Sequence, residues 1–202
     1  MRRFAESRLL IATHNAGKFE EFQALFAPLG ISLCSAAELS LEAPAETESS
    51  FVGNARLKAR SAAQASGLVC LADDSGIAVD ALGGMPGIYT ADWAETLSGR
   101  DFGLAMQKTW DLAGQSGAKP PYRAQFRCAL ALAWPDGYDE MFEGSVAGTL
   151  VWPQRGREGH GYDPMFKPDG HTKTFAEMGP ALKNSISHRS AALKQLIEGC
   201  FT

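Results

Sequence analysis

The sequence predicts an α/β fold on a mixed sheet. Short apolar runs alternate with amphipathic stretches in the order strand, helix, strand, helix, strand, and a long alternating segment then doubles back across Pro135-Asp136-Gly137. No repeat, low-complexity tract or linker interrupts the 202 residues, which suit one medium domain, 1–202, able to bury a real core.

The elements follow in order. Leu9 to Thr13 reads as a buried strand ending at His14-Asn15-Ala16-Gly17. Phe19, Phe22, Phe26 and Leu29 recur at helical spacing, with Glu20, Glu21 and Gln23 between them, and Pro28 and Gly30 stop that helix. Ile31 to Cys34 is a second strand, and Ser35 to Ser50 a polar loop around Pro44. A helix from about Ser50 to Gly67 carries the stripe Phe51, Ala55, Ala59 and Ala62, small enough for close packing on a sheet. Leu68 to Ala72 is a third buried strand. Asp73-Asp74-Ser75-Gly76 follows it, Ile77 to Leu82 forms a further strand, and Gly83 to Gly87 is a stiff glycine/proline loop. Residues 100–113 are helical. Tyr122 to Trp134 and Glu140 to Val151 form the hairpin. Gly156 to Gly161 is a glycine-punctuated loop into Tyr162-Asp163-Pro164, and the closing helix starts near Ser185 or Ser187, burying Leu193, Leu196 and Ile197.

Composition removes several classes of function. A net charge of -4 argues against a nucleic-acid backbone as the main partner, although a few local cations can still neutralise phosphates in a cleft. Cys34, Cys70, Cys128 and Cys200 lie far apart without a C-x-x-C pair, which fits a reducing compartment and not a zinc site or disulfide framework. Arg2-Arg3 precedes only the short apolar run Leu9-Leu10-Ile11-Ala12, so neither a signal peptide nor a membrane span is expected, and the expected location is cytoplasmic.

Four segments carry candidate chemistry. In Thr13-His14-Asn15-Ala16-Gly17-Lys18, Asn15 can cap the following helix, whose first amides form an anion site beside Lys18; an ordinary capped helix has the same residues. In Asp73-Asp74-Ser75-Gly76, at the end of an apolar strand, adjacent aspartates point to opposite sides, so one faces a ligand; Asp-Ser-Gly is equally good turn chemistry. Asn54 and Lys58 share a helix face opposite the alanine stripe, and Glu46 can reach the same place from the loop, unless all three are solvated surface residues. In Lys183-Asn184-Ser185-Ile186-Ser187-His188-Arg189, cations in a first helical turn oppose the helix dipole; an anionic or carbonyl-bearing ligand would compensate, as would simple exposure to water.

Taken in series, the blocks T-H-N-A-G-K, F-V-G-N-A-R-L-K-A, A-D-D-S-G-I-A-V-D-A-L-G-G-M-P-G-I-Y-T-A, G-Y-D-P-M-F and F-A-E-M…K-N-S-I-S-H-R resemble the inosine triphosphate pyrophosphatase family over residues 13 to 189. The resemblance implies an elongated α/β fold, a central mixed sheet flanked by helices, and a cleft between two lobes, in a homodimer. It implies a magnesium-dependent hydrolase that converts non-standard purine triphosphates such as ITP, dITP and XTP to monophosphate and pyrophosphate. Thr13, His14, Asn15, Ala16, Gly17 and Lys18 then fall in the triphosphate-gripping motif, with Lys58 and Ser75 as further phosphate contacts. Glu46 and Asp74 take the magnesium, Asp74 being base, ligand or both. His160, Gly161, Tyr162, Asp163, Lys183, His188 and Arg189 surround the purine.

Three departures stand out. Gly53 replaces a glutamate usual before Asn-Ala, His160 replaces a phenylalanine that stacks on the base, and His14 sits at a variable small or polar position. The expected selectivity is physical: Arg189 and His188 can donate to a purine 6-carbonyl, whereas an adenine amino group would face another donor. Competing readings are a pyrophosphatase for other triphosphates and a nucleotide-binding regulator without catalysis. The two carboxylates Glu46 and Asp74 speak against the regulator, since a pure binder has no reason to hold them beside a triphosphate without a metal.

Overall fold

Strand β1 (Arg8–Ile11) is the first edge of order in a computed structural model that describes residues 1–201. It leads into α1 (Ala16–Phe26), a single 3-10 turn over Ala27–Leu29, and β2 (Ser32–Ser35). Pro28 lies in that turn and Gly30 closes it at φ 65, the stop expected from the sequence. Helix α2 (Phe51–Ser66) follows, with Ser50 accepting from the Gly53 amide at one end and Gly67 left-handed at the other. Next come β3 (Cys70–Val79), the two-residue strands β4 (Glu95–Thr96) and β5 (Gly99–Arg100), and α3 (Phe102–Gln115). β6 (Arg123–Ala133), β7 (Asp139–Leu150), β8 (Phe166–Pro168), α4 (Pro180–Ile186) and α5 (His188–Leu196) complete the chain.

The main sheet runs β2-β1-β3-β6-β7-β8. β1 is parallel to β2 and β3, and β7 is antiparallel to β8, so the sheet is mixed as the sequence predicts. Among the described residues, no helix is long and apolar enough to cross a membrane.

Two expectations change. Asp73-Asp74-Ser75-Gly76 is no turn between strands; it lies inside β3, which continues past the point where β1 stops pairing at Ile11↔Leu71. The separate strand at Ile77 to Leu82 is therefore the second half of β3, followed by a 3-10 turn over Asp80–Leu82. The closing helix α5 starts at His188, directly after Ser187, one of the two starts expected, and the extended φ/ψ of Ser187 separates it from the short helix α4.

The chain divides into two compact units. One comprises Met1–Asp74, Cys128–Gly144 and Arg189 onward; the other comprises Ser75–Arg127 and Ser145–His188. In the first unit strand parity sorts the core. Leu9, Ile11, Leu71, Leu130 and Leu132 pack with Phe22 and Phe26 of α1 and with Leu193 and Leu196 of α5. Leu10, Cys70, Ala72, Ala129 and Ala131 pack with Ala55, Ala59, Ala62 and Ala63 of α2. Burial of each phenylalanine contributes about 1.5–3 kcal/mol, and the alanines let α2 lie close to the strands. The second unit has its own core, in which Phe126, Phe166 and Phe175 cluster with residues of α3 and the 3-10 turn at Asp163–Met165. All four cysteines are buried free thiols, as their apolar surroundings predict.

Candidate active site

The parity that sorts the core also separates the two aspartates. Asp73 continues the face of Leu71, toward α1 and α5, whereas Asp74 continues the face of Ala72, toward α2. Both are buried, and each meets a different set of cations.

On the α2 face, Lys58 Nζ donates to Glu46 Oε1 at 2.9 Å and to Asp74 Oδ1 at 3.1 Å. Asn54, one turn earlier, donates from Nδ2 to Asp74 Oδ2 at 3.3 Å and accepts at Oδ1 from the Glu48 amide at 3.1 Å. Asn54 is 2% exposed, so it and Lys58 do not stand opposite the alanine stripe; they border it, turned toward β3. Burial lifts the Asp74 carboxyl above its ordinary range; Lys58 opposes the rise and Glu46 adds to it. Burial works against the Lys58 ammonium, yet Asp74, Asp73 and Glu46 together hold its pKa up.

On the other face, Asp73 accepts from Lys18 Nζ at 3.1 and 3.0 Å and from Arg189 Nη2 at 3.1 Å, and Arg189 also pairs with Glu21 of α1. Burial alone would raise the Asp73 carboxyl; Lys18, Arg189 and Lys58 instead hold it well below its usual value. A depressed carboxylate contributes stability above its unfolded pKa, near 3.8, and that contribution is lost as pH falls below it. Resistance to urea unfolding should therefore weaken as pH drops from about 5 to about 3, and Asp73→Asn should flatten that dependence. Equal slopes in the two proteins would remove Asp73 from the acid response.

The first motif forms the capped helix start expected of it. Asn15 Oδ1 accepts from the Lys18 amide at 3.1 Å, and Thr13 Oγ1 accepts from the Asn15 amide at 3.1 Å. The amides of Ala16 and Gly17 open α1, where helix geometry gives them no intrahelical acceptor. His14 is tied elsewhere: its Nε2 donates to the Leu41 carbonyl at 2.7 Å, fastening this turn to the loop that carries Glu46.

The residues expected around the purine are distributed differently. In the second unit, Asp163 Oδ2 accepts from Lys183 Nζ and from the His160 amide, both at 2.7 Å. Gly159 must be glycine, since a Cβ there would lie 2.1 Å from Asp163 Oδ2. The His160 ring is exposed and Gly161 half-buried, leaving both accessible to a ligand. Tyr162 has its ring 1% exposed and edge-on to Phe102, and burial pushes the pKa of its hydroxyl up to about 12. His188 stacks on Phe126 at 4.9 Å between ring centroids, inside the second unit. Ser75 is half-buried on β3. Arg189 is paired with Asp73 and Glu21 within the first unit. The unfavourable dipole position at the start of α5 is thus compensated by the protein's own carboxylates.

Sequence reasoning passed over Asp73 and Glu21 as site residues. Glu21 lies three residues after Lys18 on α1, a spacing that puts both on one helix face and was available as a signal. The glycine at position 53 has a local reason: a Cβ there would lie 2.7 Å from Glu48 Cβ, so the side chain of Glu48 fills that volume.

Glu46 and Asp74 present hard oxygen donors around one position, the set that suits magnesium, which takes one or two carboxylates and completes its shell with water and phosphate oxygens. Among the described residues, no group of three or more His, Cys, Asp or Glu could enclose an ion unaided.

The sequence model of the Ham1 family matches residues 9–199. A Ruegeria pomeroyi protein named dITP/XTP pyrophosphatase is 57% identical over 200 residues, covering 99% of this chain and 98% of its own. A Zymomonas mobilis protein of the same name is 51% identical over 199 residues, covering 98% and 94%. The solved HAM1 protein from Coxiella burnetii superposes with a TM-score of 0.86 at 35% identity, over 95% of this chain and 96% of that one. The carboxylates on either face of β3 are thus set in a chain that belongs to the Ham1 family.

Proposed function

We propose that this chain is a magnesium-dependent nucleoside-triphosphate pyrophosphohydrolase that converts dITP, ITP and XTP to the monophosphate and pyrophosphate. The observation that carries the reading is the meeting of Glu46 and Asp74, from separate segments, on the Lys58 ammonium. The names of the similar proteins from Ruegeria pomeroyi and Zymomonas mobilis, dITP/XTP pyrophosphatase, support dITP and XTP among these substrates.

In the reaction, a water oxygen forms a bond to the α-phosphorus, and the bond from that phosphorus to the α–β bridging oxygen breaks. Asp74 accepts the water proton, and its burial keeps the carboxylate more basic than an exposed aspartate. Lys58, and Lys18 at the head of α1, offset the charge that gathers on the departing pyrophosphate, together with the amides of Ala16 and Gly17. Glu46 and Asp74 would hold magnesium, which supplies charge neutralisation and Lewis-acid polarisation of the phosphates. Asn54 fixes the rotation of the Asp74 carboxylate, and His14 holds the loop of Glu46. On the base side, a purine 6-carbonyl would be met by an N–H donor of the residues expected there, Lys183, His188 or Arg189. An adenine amino group would leave donor facing donor.

Pyrophosphate release should be measured over dITP, XTP, ITP, dGTP and ATP, with and without magnesium. A buried donor mismatch of about 1–3 kcal/mol predicts kcat/KM about 5- to 150-fold higher for ITP than for ATP, and no turnover after chelation. Equal rates on ATP and ITP would retain the hydrolase and remove the purine selectivity. Full activity in EDTA would remove the metal.

A further inference from the structure

Resting on the metal reading above, we propose that Lys58 is an internal counter-ion. It competes with the divalent cation for Glu46 and Asp74, so that cation binding releases its ammonium to the triphosphate.

The same carboxylate oxygens that suit magnesium are those that hold Lys58 Nζ, at 2.9 and 3.1 Å. Asp74 cannot serve both partners by turning, because its other oxygen is held by Asn54 at 3.3 Å. The Lys58 side chain is only 12% exposed, so water replaces little of what the two carboxylates give it. One ammonium leaves the pair with a net negative charge. A divalent cation neutralises the pair, and Lys58 becomes a surplus positive charge next to whatever phosphates enter. The anatomy allows the exchange: a flexible four-carbon stem projects from the rigid helix α2, so the head can move while its root stays fixed.

Lys18 differs in one respect. It too rests on a carboxylate, Asp73, but Arg189 stays on that carboxylate when Lys18 leaves. Lys18 can therefore turn to a phosphate without any cation to replace it. Lys58 cannot do so without leaving the buried Asp74 carboxylate without its ammonium, whereas the exposed Glu46 is met by water, so the release of one phosphate-binding lysine is conditional on metal at Asp74. Triphosphate arriving without its cation would meet Lys58 still engaged.

The test is calorimetric titration of magnesium chloride into the full-length, nucleotide-free protein at low ionic strength. Lys58→Met removes the competitor and should tighten magnesium binding about tenfold or more, the scale of a partly buried charge pair. Asp74→Asn should abolish binding. Lys58→Gln, which keeps length and polarity, serves if Lys58→Met folds poorly. In the wild type, the 15Nζ resonance of Lys58 should shift as magnesium is added, and it should stay still in Asp74→Asn. Magnesium affinity in both Lys58 variants equal to or weaker than wild type, with binding lost in Asp74→Asn, overturns the competition and leaves the metal reading intact. Wild-type affinity in Asp74→Asn overturns the metal reading and the competition with it.

Discussion

Replacing Asp74 with asparagine should lower kcat for dITP by about 10³-fold or more, within the range for loss of a positioned general base, and leave the fold untouched. The two halves of that expectation have separate causes. Activity falls because the proton acceptor and the second metal oxygen are lost from one side chain. Stability holds because burial lifts the Asp74 carboxyl above its ordinary value. A carboxylate whose folded pKa is raised costs stability at neutral pH, so neutralising it relieves the cost. Asparagine keeps the shape, can still bond Asn54, and leaves Lys58 paired with Glu46. The melting temperature should therefore be unchanged or slightly higher while pyrophosphate release collapses. Turnover within tenfold of wild type would move the chemistry away from Asp74.

The order of strands and helices was legible because it rests on local periodicity. Phe22 and Phe26, and the alanines of α2, announce their buried faces through spacing alone. Asp73-Asp74-Ser75-Gly76 was harder to read, since its residues suit a turn and only tertiary pairing overrides that. β3 has β6 as its neighbour on the other side and continues as strand after β1 has ended. Once it is strand, alternation forces Asp73 and Asp74 onto opposite faces, and each face then selects its own cations. The start of the closing helix was legible to within two residues, because Ser185 and Ser187 are equally good punctuation in sequence, and the structure takes Ser187.

Residues joined across long stretches of chain were the least legible. Arg189 finds Glu21 across 168 positions and Asp73 across 116, and no local rule connects them. From sequence, an arginine in the first turn of a helix looks uncompensated and invites a ligand. Glu48 is a similar case: its side chain fills the space above Gly53, so the missing glutamate is explained by a neighbour in the loop.

Arg189→Met should destabilise the protein by about 3–5 kcal/mol, the usual cost of breaking a buried ion pair from one side. For a chain of this size that corresponds to a fall in melting temperature of roughly 6–20 °C. The Arg189 side chain is 7% exposed and Asp73 2%, so water cannot replace the lost partner. A guanidinium that read the purine from a solvated site would behave otherwise: its loss would raise KM for dITP and leave melting unmoved. The double variant Arg189→Met with Glu21→Gln should recover part of the loss, because it removes one of the two carboxylates left behind. The same substitution has a kinetic consequence through Lys18. With Arg189 gone, Asp73 holds the Lys18 ammonium more tightly, so a triphosphate must compete for it. KM should rise through Lys18 while kcat changes little. Unchanged melting in Arg189→Met would show that the buried pairing with Asp73 and Glu21 contributes nothing to the fold.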